Sequence, residues 1–366
     1  MSTLKKISVI AISLLAMPML CVASTLQLSS TWYSWGNPNI GSQTFGTSLV
    51  MNGDNTPYLL TNYENGGPGS LNVYALDNGT WVPETKAPSS INSIAINSDS
   101  AKATPYITYS NAADTSVEVA HLVNNKWVAL PTVTKNAYVY YDYNLSLKVS
   151  KDGVPYIFYL GSKGAVLKKF VVGKWQTIGN PLLAGYAGCG AKTLDLQLTQ
   201  EGTPEAIIYD HNNNGVNNLV VEKLTNNQWQ QVGHPLTIPN ETHPNFAIAK
   251  NGQPFVAVSQ PNIVYTLDQS NQWVSVAGTS EINPSFSVTS IGVSKNNTPY
   301  ITLTDGKLNT YQVYRYQSNQ WVQLGQTLKN ASGWTPVVFN KNNEAILTYS
   351  SLSNSYAQVN KLVIAG

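Results

Sequence analysis

The chain has 366 residues, of which 11% are charged, with 21 Lys and Arg against 19 Asp and Glu. This composition argues against a nucleic-acid or anionic-membrane partner, because both need clustered Lys and Arg. The polarity comes instead from Asn, Gln, Ser and Thr. Together with 21 Tyr and 9 Trp, these residues suit a surface that forms hydrogen bonds and stacks.

Residues 1–24 are predicted to be a signal peptide. Lys5 and Lys6 form a basic start, residues 7–20 are apolar but too few for a membrane span, and small residues near Ala23 suit a signal peptidase. We therefore expect a secreted or periplasmic protein, with residues 25–366 as its mature part. Cys21 also allows a lipoprotein signal, but residues 18–20 lack the small side chains that such a signal prefers. No later stretch is long and apolar enough to predict a membrane span.

A tryptophan recurs along the mature chain at intervals of 44–54 residues. A period near 50 residues is typical of propellers and other repeat arrays. Four copies read Trp-x-x-x-Gly, at residues 32–36, 175–179, 229–233 and 321–325, and looser copies begin at Trp81, Trp127 and Trp273.

Each period also contains a turn that is followed by a proline and an apolar run. Alternating apolar and polar residues before the proline indicate a half-buried strand, and the proline suits the start of the next strand. A third apolar run and the Trp segment, joined by turns such as Asn124-Asn125, complete four short strands. The prolines are Pro57, Pro105, Pro155, Pro204, Pro254 and Pro299, and residues 343–347 form a seventh, degenerate copy.

Four strands per period predict an all-β fold, a seven-bladed β-propeller with four antiparallel strands in each blade. Seven proline-type copies are present, but only six of them are followed by a Trp segment. The segment at residues 32–36, in contrast, has no such copy before it. We therefore expect this N-terminal strand to complete the last blade and leave no open edge, so that residues 25–366 form one domain.

The segments Gly153-Val154-Pro155-Tyr156 and Trp321–Gly325 illustrate a blade pattern of Gly-x-Pro-Tyr followed by Trp-x-x-Leu-Gly. This pattern resembles that of bacterial secreted seven-bladed β-propellers over about residues 26–366. The resemblance implies the architecture and leaves the function open, because propellers carry many unrelated activities. The kelch double glycine is absent, and residues 77–81 are one residue short of a sialidase-type Asp box.

Function is expected in loops where the copies differ, because the repeated Trp, Pro and Tyr residues suit packing between blades. One such loop carries four tyrosines beside an aspartate. Aromatic rings stack on the C–H faces of sugars, and carboxylates accept hydrogen bonds from their hydroxyls, so this loop favours carbohydrate binding. The structural alternative is a strand in which half of the tyrosines pack inward. The residues are Tyr138, Tyr140, Tyr141, Asp142 and Tyr143.

A second loop, residues 210–218, begins with the candidate ligand-binding residues Asp210 and His211. Residues 210, 212, 214 and 215 match the first half of a calcium loop, but the closing glutamate is one place late, at Glu222. A polar hairpin is therefore the favoured interpretation, and we predict no metal.

A third loop, residues 186–192, is rich in glycine and contains the candidate binding residue Tyr186. Glycine lets the backbone approach a ligand, or simply lets the loop fold back. The loop also contains Cys189, the one cysteine left after signal cleavage, for which a small buried side chain is favoured over a reactive thiol.

The residues suited to catalysis are few. His121, His211, His234 and His243 show no metal-ligand spacing, and Glu241 lies between the last two in one inter-blade loop. We predict an exported, non-catalytic binding module without a cofactor, which recognises carbohydrate or a protein surface. The alternatives are a glycan-active hydrolase or lyase, with two carboxylates meeting at the channel mouth, and a purely scaffolding protein.

Overall fold

The computed structural model confirms an all-β propeller of seven blades. None of the residues that it describes forms a helix long and apolar enough to cross a membrane. The described residues are 30–41, 46–62, 72–85, 91–111, 116–135, 137, 145–162, 164–182, 191–211, 217–238, 244–259, 261–278, 282, 285–333 and 335–364.

After β1 (Ser30–Ser34), the first three blades follow in chain order, each an antiparallel sheet of four strands. Blade 1 contains β2 (Gly46–Met51), β3 (Pro57–Asn62), β4 (Asn72–Asp77) and β5 (Thr80–Pro83). Blade 2 contains β6 (Ile91–Ala95), β7 (Tyr106–Asn111), β8 (Ser116–Val123) and β9 (Lys126–Ala129). Blade 3 contains β10 (Leu145–Val149), β11 (Pro155–Gly161), β12 (Gly164–Val171) and β13 (Lys174–Leu182).

The next three blades repeat this order, and one of them gains a short extra strand. Blade 4 contains β14 (Ala191–Leu198), β15 (Pro204–His211), β16 (Asn217–Thr225), β17 (Gln228–Gln231) and the extra β18 (Leu236–Thr237). Blade 5 contains β19 (Asn245–Ile248), β20 (Pro254–Val258), β21 (Ile263–Leu267) and β22 (Trp273–Ser275). Blade 6 contains β23 (Ser287–Val293), β24 (Pro299–Asp305), β25 (Thr310–Gln317) and β26 (Gln320–Lys329).

Blade 7 combines both ends of the described chain. Its inner edge is split into β27 (Ala331–Ser332) and β28 (Val338–Phe339), and both pair with β29 (Ala345–Ser351). β29 pairs with β30 (Ala357–Ile364), and β30 pairs with β1 in the antiparallel register Trp32↔Leu362. β1 therefore occupies the outer position that the Trp strands occupy in the other blades.

The first strand of each blade lies innermost. Contacts between neighbouring blades run through these strands, for example from β6 to β10 and from β10 to β14. Consecutive strands of each blade run antiparallel, so the tight turns after the first and third strands share one face of the ring, which we call the turn face. The connections after the second strand and between blades share the opposite face, which we call the loop face.

The turns have the backbone geometry that their sequences predict. Asn78, Asn226 and Asn227 adopt positive φ between the third and fourth strands, as a two-residue hairpin turn requires. Five of the repeat prolines begin the second strand of their blades, where a missing N–H is tolerated.

The hydrophobic core is divided among the interfaces between blades. The described residues form seven apolar clusters, and each cluster joins two neighbouring blades. One of them packs Leu49 and Leu59 of blade 1 against Ile346 and Val359 of blade 7. A single blade cannot bury both of its faces, so each blade depends on its two neighbours for stability.

Tryptophans of the outer strands join neighbouring blades, as the repeat predicts. The indole N–H of Trp81 donates to the carbonyl of Trp35 at 2.8 Å, and that of Trp229 donates to the carbonyl of Asn180 at 3.0 Å. Trp321 differs, because its buried Nε1 has no hydrogen-bond partner among the described residues. Equivalent bonds join Trp32 to Leu324, Trp127 to Thr85 and Trp175 to Pro131.

The glycine of the Trp-x-x-x-Gly pattern lies beneath the tryptophan of the following blade. A Cβ atom added to Gly233 would lie 2.5 Å from Nε1 of Trp273, and one added to Gly179 would lie 2.7 Å from Nε1 of Trp229. The pattern therefore reflects a contact between blades, in which the tryptophan of one blade packs on the glycine of the preceding blade. This contact explains why the two residue types recur together. Gly36 and Gly325 approach Trp81 and Trp32 in the same way.

Candidate functional site

The tyrosine loop and the glycine-rich loop lie outside the described residues. Tyr138, Tyr140, Tyr141, Asp142, Tyr143 and Tyr186 are therefore untested as binding residues. Asp210 and His211 end strand β15, but their side chains also fall outside the described part of the chain. The predicted set remains a prediction, and the strands that flank it belong to blades 3 and 4 and to the end of blade 2.

Those flanking strands meet at blades 3 and 4 on the loop face. Residues 183–190 connect β13 to β14, and residues 212–216 connect β15 to β16. Ala191, the first residue of β14, is the register partner of Asp210 at the end of β15. Strand β10 begins after the tyrosine loop and contacts β14 directly. The described ends of all three candidate loops are thus neighbours.

The approach to the tyrosine loop is fixed by backbone pairing. Val133 N donates to Val117 O at 3.0 Å, and Ala137 forms an isolated bridge with Gly161 of blade 3. The Lys168 ammonium donates to Val133 O at 2.6 Å, and burial lowers the pKa of this lysine. The segment that leads into the loop is therefore held between blades 2 and 3.

Four polar side chains lie together on the inner strands of blades 3 and 4. We call this group, Ser146, Lys148, Asp195 and Gln197, the channel-wall cluster. Ser146 Oγ donates to Asp195 Oδ1 at 2.8 Å, and Gln197 Nε2 donates to Asp195 Oδ2 at 3.0 Å. Lys148 Nζ lies 3.7 Å from Asp195 Oδ1. The cluster joins two blades at the wall of the central channel.

The cluster is partly open to solvent. The side chains of Lys148 and Asp195 are 32% and 30% exposed, so their ion pair contributes little to stability, and both charges remain available to a ligand. Asp195 Oδ1 also accepts the N–H of Leu196 at 2.8 Å, which fixes the carboxylate. The exposed carboxylate can accept hydrogen bonds and the exposed ammonium group can donate them, whereas the Ser146 hydroxyl is buried.

The repeat alignment contains a signal for this cluster that the loop-based predictions missed. In blades 3 and 4, Lys148 and Gln197 lie at the same distance before the turn that follows the first strand, so their positions are equivalent. The same position holds a small or apolar residue in the other blades, such as Ala95, Ala247 or Gly292. A long polar side chain at a position that is otherwise small marks these two blades as different.

The histidines do not form a site in the described structure. His121 stacks on Tyr106 with ring centroids 3.9 Å apart, and its Nε2 lies 2.8 Å from Thr104 Oγ1. Burial lowers the pKa of His121, which suits a packed, neutral imidazole. His234 is exposed on the loop face, and His243 falls outside the described residues. No group of three or more potential metal ligands occurs among the described residues.

Comparisons with known proteins give the fold. No family model matches the chain, and no match is found among curated proteins. Virginiamycin B lyase from Staphylococcus aureus, in a complex with quinupristin, is 10% identical with a TM-score of 0.58, and the match covers 93% of this chain and 100% of the lyase. The SapL1 lectin, bound to α-methyl fucoside, is 13% identical with a TM-score of 0.53, covering 79% of this chain and 97% of the lectin.

A prolyl endopeptidase structure is also similar, at 11% identity and a TM-score of 0.54. The match covers 88% of this chain and 51% of the endopeptidase chain, so this protein spans about half the length of that enzyme. At these identities the likeness establishes the architecture alone, because one fold supports many unrelated functions.

Proposed function

We propose that the protein is an exported, non-catalytic module that binds carbohydrate on the loop face of blades 3 and 4. The observation that carries the proposal is the meeting of strand ends there. The strands that flank the tyrosine loop, the glycine-rich loop and the loop at residues 210–218 are neighbours, and they include the polar channel-wall cluster. Binding residues commonly lie on loops that a rigid scaffold holds in place.

The chemistry of this region suits a sugar. Tyrosine rings offer apolar faces for sugar C–H groups, while the partly exposed Asp195 carboxylate and Lys148 ammonium offer an acceptor and a donor for hydroxyls. Asp195 is already fixed by Ser146 and Gln197, so a ligand need not order it on binding. The fold of a lectin bound to a fucoside is compatible with this arrangement.

A glycan array followed by calorimetry of the best ligand tests the proposal. We expect specific binding without turnover, and at least a tenfold loss of affinity in Tyr140→Ala or Tyr141→Ala, as about 1.4 kcal/mol corresponds to tenfold. Tyr33→Ala is the matched control, because Tyr33 is 56% exposed on the outer strand of blade 7. Absence of binding to any glycan, or equal loss in the control, would contradict the proposal.

The hydrolase or lyase alternative makes a separate prediction. Asp195 is the one carboxylate on the described inner strands, so a catalytic pair would need a second carboxylate from the loops. Incubation with the array-selected glycan, with release of reducing ends as the readout, distinguishes an enzyme from a binding module. A carbohydrate-negative array combined with capture of a protein ligand would favour recognition of a protein surface.

A further inference from the structure

A lysine recurs at the same position of the turn that follows the first strand. Blades 5, 6 and 7 place Lys250, Lys295 and Lys341 there, and blade 3 places Lys151. These turns lie on the turn face, opposite the proposed carbohydrate site. Three consecutive blades therefore direct three ammonium groups toward one sector of the channel mouth.

A cavity of about 190 Å³ lies at this mouth, and all three consecutive lysines line it. Lys151 does not line it. The apolar part of the lining consists of the residues just before the turns, which are Met51, Ile248, Val293 and Phe339. A cavity of about 150 Å³ suffices to admit a benzene ring. The site thus combines a cationic rim with an apolar wall of ring size.

The turns that carry the lysines are held by one another. Lys341 N donates to Asn55 Oδ1 at 2.6 Å, and Lys295 N donates to Asn343 Oδ1 at 2.9 Å. The turn of Lys250 is tied in the same way, since Asn251 N donates to Asn297 Oδ1 at 3.2 Å. The backbone amides are therefore satisfied within the ring, and the lysine side chains extend from a rigid base.

The positive charge at the mouth is only partly compensated, because Asp99 is the one carboxylate that lines the cavity beside the three lysines. Three ion pairs among the described residues join Lys148 to Asp195, Lys223 to Glu205 and Lys361 to Glu344, and none of these three includes a lysine of the cavity. Burial and the nearby charge of Lys250 lower the pKa of Lys295, against a smaller opposing effect of Asp99. A ligand with negative charge would relieve this repulsion.

We propose that the turn-face mouth of the channel binds a small oxyanion carried on an apolar ring, held by Lys250, Lys295 and Lys341. A dianion suits three converging ammonium groups better than a monoanion, because the attraction scales with the product of the charges. The ring would lie against the apolar wall, next to Phe339. This site is independent of the proposed carbohydrate site on the loop face.

Calorimetric titration at low ionic strength tests the proposal with phenyl phosphate as the probe. We expect phenyl phosphate to bind more tightly than phenyl sulfate, benzoate or inorganic phosphate, and we expect neutral phenol to bind more weakly still. Raising the salt concentration should weaken binding, because the lysines are near the surface. Equal binding of phenyl phosphate and inorganic phosphate, or no binding of either, would overturn the proposal.

Lysine variants connect the binding to the cavity. Lys295→Gln should weaken phenyl phosphate binding severalfold, and Lys250→Gln combined with Lys295→Gln and Lys341→Gln should weaken it at least tenfold. Lys151→Gln is the matched control, with the same turn position and the same loss of charge but no contact with the cavity. An equal loss in this control, or an unchanged affinity in both cavity variants, would contradict the assignment. Urea unfolding of each variant verifies that the fold is intact.

Discussion

The ring contains two kinds of glycine, and we expect substitution to lower the free energy of unfolding by different amounts at the two. Gly233 has φ of 68°, and a Cβ there would lie 2.5 Å from Trp273 Nε1 and 2.9 Å from Leu267 Cδ2. Gly252 has φ of 84°, but a Cβ there would meet nothing within 4 Å. Both positions strain an alanine backbone by about 1 kcal/mol, whereas only the first also creates a steric clash.

We therefore expect Gly233→Ala to lower the free energy of unfolding by about 1–3 kcal/mol more than Gly252→Ala does. Urea unfolding of the two variants measures the difference directly. Equal destabilisation would mean that Trp273 can move aside freely, and that the glycine is required only for its backbone conformation.

His121 gives the stability of the protein a dependence on pH. Burial lowers its pKa below the ordinary value, so the unfolded chain takes up a proton first as the pH falls. The stabilising contribution is complete above a pH of about 6.5, the ordinary pKa, and is lost as the pH falls toward the pKa of the folded state. The stacked Tyr106 and the hydroxyl of Thr104 hold the ring in place.

The free energy of unfolding should therefore fall less between pH 7.5 and 5.5 in His121→Gln than in the native protein. His234→Gln makes the same chemical change at an exposed position and is the control. Carboxylates that titrate in this range are common to all three proteins, so their effect cancels in the comparison. A pH dependence that His121→Gln leaves unchanged would exclude this residue as its source.

At the scale of elements, the outer strands differ in how they bond to their neighbours. Trp32 is 3% exposed, and its Nε1 donates to Leu324 O at 2.9 Å in a buried setting. Trp321 occupies the equivalent position in blade 6, but its buried Nε1 lacks a partner among the described residues. A buried N–H without an acceptor has a desolvation cost that a bonded one avoids.

Replacing each indole with a phenyl ring should reveal this difference. We expect Trp32→Phe to lower the free energy of unfolding by about 1–2 kcal/mol more than Trp321→Phe. Guanidinium unfolding of both variants, which lose similar volume, supplies the comparison. A larger loss in Trp321→Phe would show that its indole N–H finds an acceptor in solution.

The strands were more predictable from sequence than the candidate site was. Alternation and turn residues located β10 and the proline-led second strands, because local backbone preferences determine them. The split of the inner edge of blade 7 into β27 and β28 was not predicted, since no local pattern indicates it. The channel-wall cluster was also missed, because Ser146 and Asp195 meet only after two blades 49 residues apart pack together.

At the scale of the whole molecule, β1 joins the first and last parts of the described chain. It pairs with β30 and also contacts blade 6, where Gln326 accepts from Trp32 N at 2.8 Å and donates to Trp32 O at 3.0 Å. Gly325 N donates to Ser30 Oγ at 2.8 Å. Without β1, the edge of β30 and the apolar surface beneath Trp32 would face water.

Removal of residues 25–35 should therefore lower the free energy of unfolding by more than about 3 kcal/mol, the usual cost of losing one buried tryptophan. A synthetic peptide of residues 26–36, added in excess, should restore part of the loss. Differential scanning calorimetry with and without the peptide provides the measurement. An unchanged transition in the shortened protein would contradict the role assigned to β1.

Hydrogen–deuterium exchange, with and without the best ligand from the glycan array, tests the central claim most directly. The claim is that blades 3 and 4 form a carbohydrate site on the loop face. We predict slower exchange on glycan binding in residues 138–144, 183–190 and 210–218 and at the starts of β10 and β14, with β1 and the turn-face lysines unaffected. Protection confined to the turn face or to other blades, with none in these three loops, would contradict the claim.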